Sequence, residues 1–408
     1  MRSVEGLGRT GLAMACAAMM MTAGVALAQD EEAGEDRSWA VGQPNTEAAM
    51  KMAPIAQFPV PTAEADLPTA RLKAPPGFKV ETYVSDILDA RMMREGANGT
   101  LFVSSLFVAG KVYAVVDNGG TREVKTIVSD MPMANGVEFH DGSLYVATNK
   151  MLVRYDDIEN KLDAPPEPVT VYDKFPGDVP HGWKFLKIGP DGKLYVPVGA
   201  PCNICMPSEN HARILRMNLD GTGVETVAEG VRNTVGFDFN PRNGELWFTD
   251  NQRDWLSEDM PIDELNRITE PGQQHFGFPY CHSGILTDPE HGWGHSCSAY
   301  ARPAALLGPH SAPLGMRFYT GSAFPEQYRN AIFIARHGPW NRTNKYADVS
   351  VAYLDDSGAV TKVEPFLTGF VENNEYVGRP VDIHVMDDGS ILVSDDYNGA
   401  IYRVSYEG

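Results

Sequence analysis

His181 opens the run His181-Gly182-Trp183-Lys184, and other polar residues stand in comparable settings. Arg232-Asn233 precedes Val235-Gly236-Phe237-Asp238-Phe239, Arg379 precedes Val381-Asp382-Ile383, and Asn135-Gly136 precedes Val137-Glu138-Phe139. An imidazole of ordinary pKa, about 6.5, can take a hydroxyl proton near neutrality. Guanidinium and carboxamide groups gathered with it would favour an anionic ligand, and a glycine beside them lets backbone approach a flat one. Each residue alone has a bland reading. A lone histidine is more often structural, and a polar residue at the head of a strand is more often part of a turn. Recurrence of the pattern points instead to a shared polar, partly cationic funnel.

Such a funnel requires a repeating scaffold. Asp-Gly or Asn-Gly turns followed by short apolar strands recur as Asn98-Gly99-Thr100-Leu101-Phe102-Val103, Asp141-Gly142-Ser143-Leu144-Tyr145-Val146, Asp191-Gly192-Lys193-Leu194-Tyr195-Val196, Asn243-Gly244-Glu245-Leu246-Trp247-Phe248 and Asp388-Gly389-Ser390-Ile391-Leu392-Val393. Arg329-Asn330-Ala331-Ile332-Phe333-Ile334 is a degenerate sixth copy. These are hairpin signals at blade-sized spacing. They predict an all-β fold, a six-bladed β-propeller over residues 71–408, in which polar strand heads converge on one channel. Phe78-Lys79-Val80-Glu81-Thr82 is expected to pair with Ala400-Ile401-Tyr402-Arg403-Val404 and close the ring, hiding both sheet edges. The long interval between the fourth and fifth copies predicts an insertion over residues 252–313, and Ser257 to Arg267 is the best candidate for a short helix.

Residues 1–28 carry Arg2 and Arg9, an apolar small-residue run and Ala26-Leu27-Ala28, the pattern of a secretory signal peptide. Residues 29–70, acidic and proline-rich, read as an irregular leader. Export implies a periplasmic or secreted protein with no membrane span after cleavage. Acids outnumber bases 54 to 34, for a net charge of −20, so nucleic acid and anionic membrane surfaces are poor partners. Cys16 leaves with the signal. Of three possible pairings of the other four cysteines, proximity favours Cys202 with Cys205 and Cys281 with Cys297 as disulfides. A tetrathiolate zinc site competes but lacks its second C-x-x-C, and the haem motif C-x-x-C-H is absent. No glycine-rich phosphate loop supports a nicotinamide cofactor.

The run from His181 through Ile188-Gly189-Pro190-Asp191-Gly192 to Pro201-Cys202-Asn203 resembles the pyrroloquinoline quinone (PQQ)-dependent soluble sugar dehydrogenases, above all their sorbosone dehydrogenase-like branch. Gly230-Val231-Arg232-Asn233, Trp247-Phe248-Thr249-Asp250-Asn251, Arg253-Asp254-Trp255, Phe276-Gly277-Phe278-Pro279-Tyr280-Cys281-His282 and Leu314-Gly315-Met316-Arg317-Phe318 carry the same likeness, which spans about residues 74 to 406. The resemblance implies an oxidoreductase acting on a sugar or a sugar-derived aldehyde or alcohol, with bound quinone and calcium. It makes His181 the general base and Arg232 a catalytic cation, with Arg232 and Asn233 as quinone contacts. It also implies that Arg336 and Arg379 contact the quinone carboxylates, that Asn135 supplies a polar contact, and that backbone carbonyls of Gln252 and Arg253 ligate calcium. The implied electron acceptor is a periplasmic cytochrome or quinone. Three departures stand out. Gly199-Ala200-Pro201 replaces the acid that orients the base in the glucose enzymes, Val381 replaces a second arginine, and Asn251 to Trp255 lacks their Gly-Pro pair.

Two other functions fit a propeller. A metal-dependent lactone hydrolase needs Glu and Asp ligands converging on the channel, whereas these strand heads offer Arg, Asn and His. A noncatalytic propeller that binds a partner or glycan is compatible with the fold alone.

Overall fold

The computed structural model describes residues 61–106, 109–179 and 181–408. The expected signal segment and residues 29–60 of the leader lie outside them. The described end of the leader carries single 3₁₀ turns at Glu64–Asp66 and Pro68–Arg71. Among the described residues no helix is long and apolar enough to cross a membrane.

Six four-stranded antiparallel sheets form a six-bladed β-propeller. Blade 1 is Met93–Glu95, Leu101–Ser104, Val112–Asp117 and Arg122–Val128; blade 2 is Gly136–His140, Ser143–Ala147, Leu152–Tyr155 and Val169–Tyr172. Blade 3 is Lys187–Ile188, Leu194–Val198, Arg213–Met217 and Glu225–Glu229; blade 4 is Phe237–Phe239, Leu246–Asp250, Ile262–Arg267 and Ala305–Pro309. Blade 5 is Pro313–Phe318, Ile332–Arg336, Asp348–Leu354 and Val360–Leu367. Blade 6 joins Pro380–Val385, Ile391–Asp395 and Ala400–Tyr406 to Phe78–Val84, with Val80 opposite Val404 and Thr82 opposite Tyr402. The chain's first strand thus closes the ring, as expected.

The expected Asp-Gly turns join the inner strands to the second. In blade 2, Asp141 (φ 47°) and Gly142 (φ 76°) are both left-handed, the geometry of a two-residue hairpin turn. Second strands are buried on both faces because each lies between neighbouring sheets; Leu194–Val198 and Leu246–Asp250 are buried at every position. The expected helix over 257–267 is instead a loop followed by the third strand of blade 4, Ile262–Arg267, with Thr249 opposite Leu265. Its polar residues mimic an amphipathic helix, yet Asp263, Glu264 and Asn266 are buried and paired: Gln252 N–H donates to Asp263 Oδ1 (2.8 Å) and Asn266 Nδ2 to Glu264 Oε2 (2.8 Å). The insertion is accordingly shorter than expected, lying between Arg267 and Ala305. It carries the hairpin Cys281–His282 and Leu286–Thr287.

Around the axis the inner strands present alternating charges. Arg94 pairs with Glu138 (3.2 Å), Lys187 with Asp238 (3.1 Å) and Arg317 with Asp382 (3.3 Å), each base reaching an acid on the following blade. Each acid also accepts a backbone N–H from the blade after its own: Ile188 to Glu138 (3.3 Å), Phe318 to Asp238 (2.9 Å) and Met93 to Asp382 (3.0 Å). This belt links all six blades with a threefold repeat and fixes where the strand heads above it can stand.

Both expected disulfides are present, Cys202–Cys205 and Cys281–Cys297, which replaces the zinc alternative and fits an oxidising compartment. Converting Cys281 and Cys297 together to Ser should cost about 3 kcal/mol, the chain-entropy value for a loop of this size. Denaturant titration checks it; a loss under about 1 kcal/mol would mean that hydrogen bonds alone hold the insertion.

Candidate active site

The strand heads converge above the belt. Val235, Leu314 and Val381, from blades 4, 5 and 6, form a small apolar cluster on which the Trp183 indole packs. Close approach demands glycine here. A Cβ at Gly236 would lie 2.1 Å from the Leu314 carbonyl oxygen, and one at Gly315 would lie 2.3 Å from Asp382 Oδ1. Hydroxyls at the ends of second strands tie each head to its neighbour: Ser104 donates to Asn135 O (2.6 Å), Thr249 to Leu314 O (2.8 Å) and Ser394 to Arg91 O (2.7 Å). The result is an apolar floor with a polar rim.

His181 stands on that rim at φ 52°, a backbone region that non-glycine residues rarely adopt and that clusters at functional sites. Its Nδ1 lies 2.8 Å from the Ala200 carbonyl oxygen. A carbonyl only accepts, so Nδ1 carries the proton and Nε2 keeps its lone pair. Burial, reinforced by the Arg232 guanidinium, holds His181 well below the ordinary histidine range, so the ring is neutral at pH 7. The missing acid therefore has a replacement in the Ala200 carbonyl. Gly199 is what permits it, since a Cβ there would lie 2.6 Å from the His181 Cβ.

Arg232 is 2 % exposed and its guanidinium is committed to the protein. Nε and Nη2 donate to the backbone and side-chain oxygens of Asn203 (2.9 Å each), Nη1 to Asn251 O (2.9 Å) and Nη2 to Asp254 Oδ2 (3.2 Å). It orders the loop and polarises His181 rather than facing the channel. The neighbouring Asn233 carboxamide makes no hydrogen bond among the described residues.

The opposite rim is a second network. Arg91 Nε donates to Asn135 Oδ1 (3.1 Å) and its Nη1 to Asp396 Oδ2 (2.8 Å); Asn135 Nδ2 donates to Lys184 O (2.6 Å). His337 Nε2 lies 2.9 Å from Asp396 Oδ1, and Arg379 reaches the carbonyls of His337 (3.1 Å) and Gly338 (2.9 Å). Burial and the Arg379 charge push His337 down to about 4 despite its carboxylate partner.

His181, Asn135, Asn233 and Arg379 thus stand near the apolar cluster at one end of the channel, with Arg232 held in the loop behind them. Arg336 does not join them. It ends a second strand with its side chain turned outward, paired with Asp348 (2.8 Å through Nε) and bonded to Leu307 O of blade 4 (2.9 Å), away from the place expected of a carboxylate contact. Gln252 and Arg253 lie in the loop after Asp250. There Arg253, 1 % exposed, pairs with Asp288 and Glu290 (2.7 Å each). Two buried guanidiniums flank this loop, and Arg232 occupies the Asn251 carbonyl. Among the described residues no three His, Cys, Asp or Glu side chains gather to hold a metal. Arg91, His337 and Asp396 were not anticipated. Arg91 heads blade 1 as Asn135 heads blade 2, so the strand-head rule reaches it; His337 and Asp396 follow second strands and have no such signal.

The family model described as TrAA12-like matches residues 72–291. An uncharacterized protein of Borreliella burgdorferi is 34% identical over 376 residues, covering 85% of this chain and 94% of that protein. The pyrroloquinoline quinone-dependent pyranose dehydrogenase of Coprinopsis cinerea is 22% identical across 83% of this chain, which spans 55% of that enzyme's length. Among solved structures, the holo PQQ domain of that dehydrogenase superposes with a TM-score of 0.72 at 19% identity, covering 82% of this chain and 97% of the domain. A calcium structure of the Trichoderma reesei Carbohydrate-Active Enzymes Family AA12 protein gives 0.73 at 19% identity, covering 85% and 100%. At these identities the structures speak for the propeller alone. The family match covers more than half of the sequence, and on that ground the chain belongs to the TrAA12-like family.

Proposed function

We propose that the chain is a PQQ-dependent oxidoreductase acting on a sugar or a sugar-derived aldehyde or alcohol, in an exported, oxidising setting. The observation that carries this reading is His181, whose Nε2 lone pair is freed by the Nδ1–H bond to Ala200 O beside an apolar floor with a partly cationic rim. The residues fit a flat polyacid. Trp183, Val235, Leu314 and Val381 offer its face a surface, while Arg379, Arg91 and the Asn233 carboxamide are placed for its edge. A quinone bound there would supply the acceptor for the hydride of the carbon that bears the substrate hydroxyl. His181 Nε2 takes the hydroxyl proton, and Ala200 O stabilises the imidazolium that results. Arg232 holds the Asn203 loop and lowers His181 basicity. A periplasmic cytochrome or quinone would serve as the electron acceptor. Val381 in place of a second arginine weakens the case for glucose as the substrate. No step here uses calcium.

A lactone hydrolase would need several free carboxylates at the channel mouth; Asp396 is held by Arg91 and His337, and Asp254 by Arg232. The test is a dye-linked oxidation screen of aldoses, ketoses and aldonolactone precursors, run with and without added quinone and calcium. Activity should appear only with quinone. Quinone-independent or nicotinamide-dependent oxidation, or lactone hydrolysis without oxidation, would overturn the reading.

A further inference from the structure

We infer that Asp250, on the second strand of blade 4, is the positioning residue for the base His181 on blade 3, acting through two backbone links. Resting on the reading above, this gives the base an acid that lies one blade away. Asp250 is fully buried, and its Oδ1 and Oδ2 accept the backbone N–H groups of Asn233 (2.7 Å) and Arg232 (3.1 Å). The Arg232 carbonyl, in the same peptide unit as the Asn233 N–H, accepts the Ala200 N–H (2.8 Å). A carboxylate on the N–H of a peptide unit polarises its carbonyl and strengthens the next bond. Ala200 then offers its own carbonyl to His181 Nδ1 (2.8 Å). Pro201 follows, so that carbonyl belongs to a peptide unit with no N–H to be bound elsewhere. The link across Ala200 is mechanical: fixing its N–H fixes the direction of its C=O, and with it the histidine tautomer.

The same device recurs in blade 6, where a second strand again ends in a hydroxyl residue and an aspartate. Asp395 Oδ1 accepts the backbone N–H of Arg379 (2.9 Å), the residue that heads that blade. Thr249-Asp250 and Ser394-Asp395 therefore do paired work, the hydroxyl clipping the next blade's head and the carboxylate its own.

The test uses Asp250→Asn in the full chain, because an amide presents an N–H₂ where one backbone N–H requires an acceptor. Three readouts are taken. On the quinone-free protein with ¹⁵N-labelled histidine, wild-type His181 should be the single Nδ1–H tautomer, and the variant a mixture. Amide exchange at Arg232, Asn233 and Ala200 should quicken by up to about tenfold, the equivalent of one net hydrogen bond, with Phe248 unchanged. The single-turnover rate of the quinone-loaded variant should fall by about 10- to 100-fold, the usual effect of losing a residue that orients an active group. If Asp250→Asn does not fold, Asp250→Glu keeps the carboxyl group, displaces the oxygens by one methylene and should shift the same readouts in the same direction. A folded variant with an unchanged tautomer, unchanged exchange and an unchanged rate overturns the inference. The first two readouts need no cofactor. Failure of the wild type to bind quinone would sink the functional reading alone, whereas a silent Asp250 variant in a quinone-binding protein would sink this one.

Discussion

Replacing His181 by Asn lowers the rate of substrate oxidation by about a hundredfold to ten-thousandfold, the range lost when a positioned base is removed. Asn is the informative replacement because it tolerates the left-handed backbone at φ 52°, where Ala adds strain. Quinone affinity should change little, since the floor of Trp183, Val235, Leu314 and Val381 and the rim of Arg91 and Arg379 remain. The pH dependence carries its own sign. His181 is neutral in the folded protein and held below 6.5, so the oxidation step in the wild type loses rate only as pH falls through that lowered value. The unfolded chain takes up the proton at an ordinary pKa. The folded state therefore loses stability as pH drops below 6.5, and His181→Asn removes that part of the acid sensitivity. A structural histidine would behave otherwise: the thermal midpoint would fall while the rate per folded molecule held, and that outcome would remove His181 from the active site.

The second large effect is on stability. Arg317 is 5 % exposed, pairs with Asp382 at 3.3 Å and lies over the Phe185 ring at 5.1 Å. Arg317→Met preserves most of the packing but leaves Asp382, 1 % exposed, with one fewer cation. Breaking a buried pair from one side costs about 3 to 5 kcal/mol, because the surviving charge stays desolvated. Arg317→Met with Asp382→Asn should recover part of the loss, since the remaining amide oxygen can still accept the Met93 N–H. Urea titrations of both variants measure this. A single-variant loss under about 1 kcal/mol would mean that water reaches the belt and that the blades are joined by apolar contacts alone.

Most of the architecture was legible because a hairpin turn is a local event. Asp141-Gly142 and Asp388-Gly389 announce blades without reference to anything distant, and Phe78 to Thr82 supplied the missing fourth strand of blade 6. The degenerate copy at Asn330 still marked blade 5, although a long connection from Tyr319 to Ala331 separates its strands. Strand heads are legible for the same reason, so His181, Asn135, Asn233 and Arg379 can be read from the sequence as heads of neighbouring blades. What failed depended on the third dimension. Arg336 ends a strand near the correct height, but alternation turns its side chain toward Asp348. Ser257 to Arg267 looked helical because blade 4 buries paired polar groups where a strand is usually apolar. The partner of His181 is a main-chain carbonyl, which has no residue type to recognise. Arg232 has the expected position, yet its hydrogen bonds to Asn203 and Asp254 connect segments that only the closed ring brings together.

The central claim is that His181 takes a hydroxyl proton while hydride passes from a sugar-class substrate to bound quinone. The most direct measurement is stopped-flow absorbance of quinone-loaded protein mixed with substrate in the absence of any electron acceptor. Wild-type protein should show loss of the oxidised-quinone band in a single turnover, and His181→Asn should show the same band, bound but unchanged over the same interval. A wild-type protein that binds no quinone, or whose bound quinone keeps its oxidised spectrum with every aldose, ketose and aldonolactone precursor tried, would contradict the account.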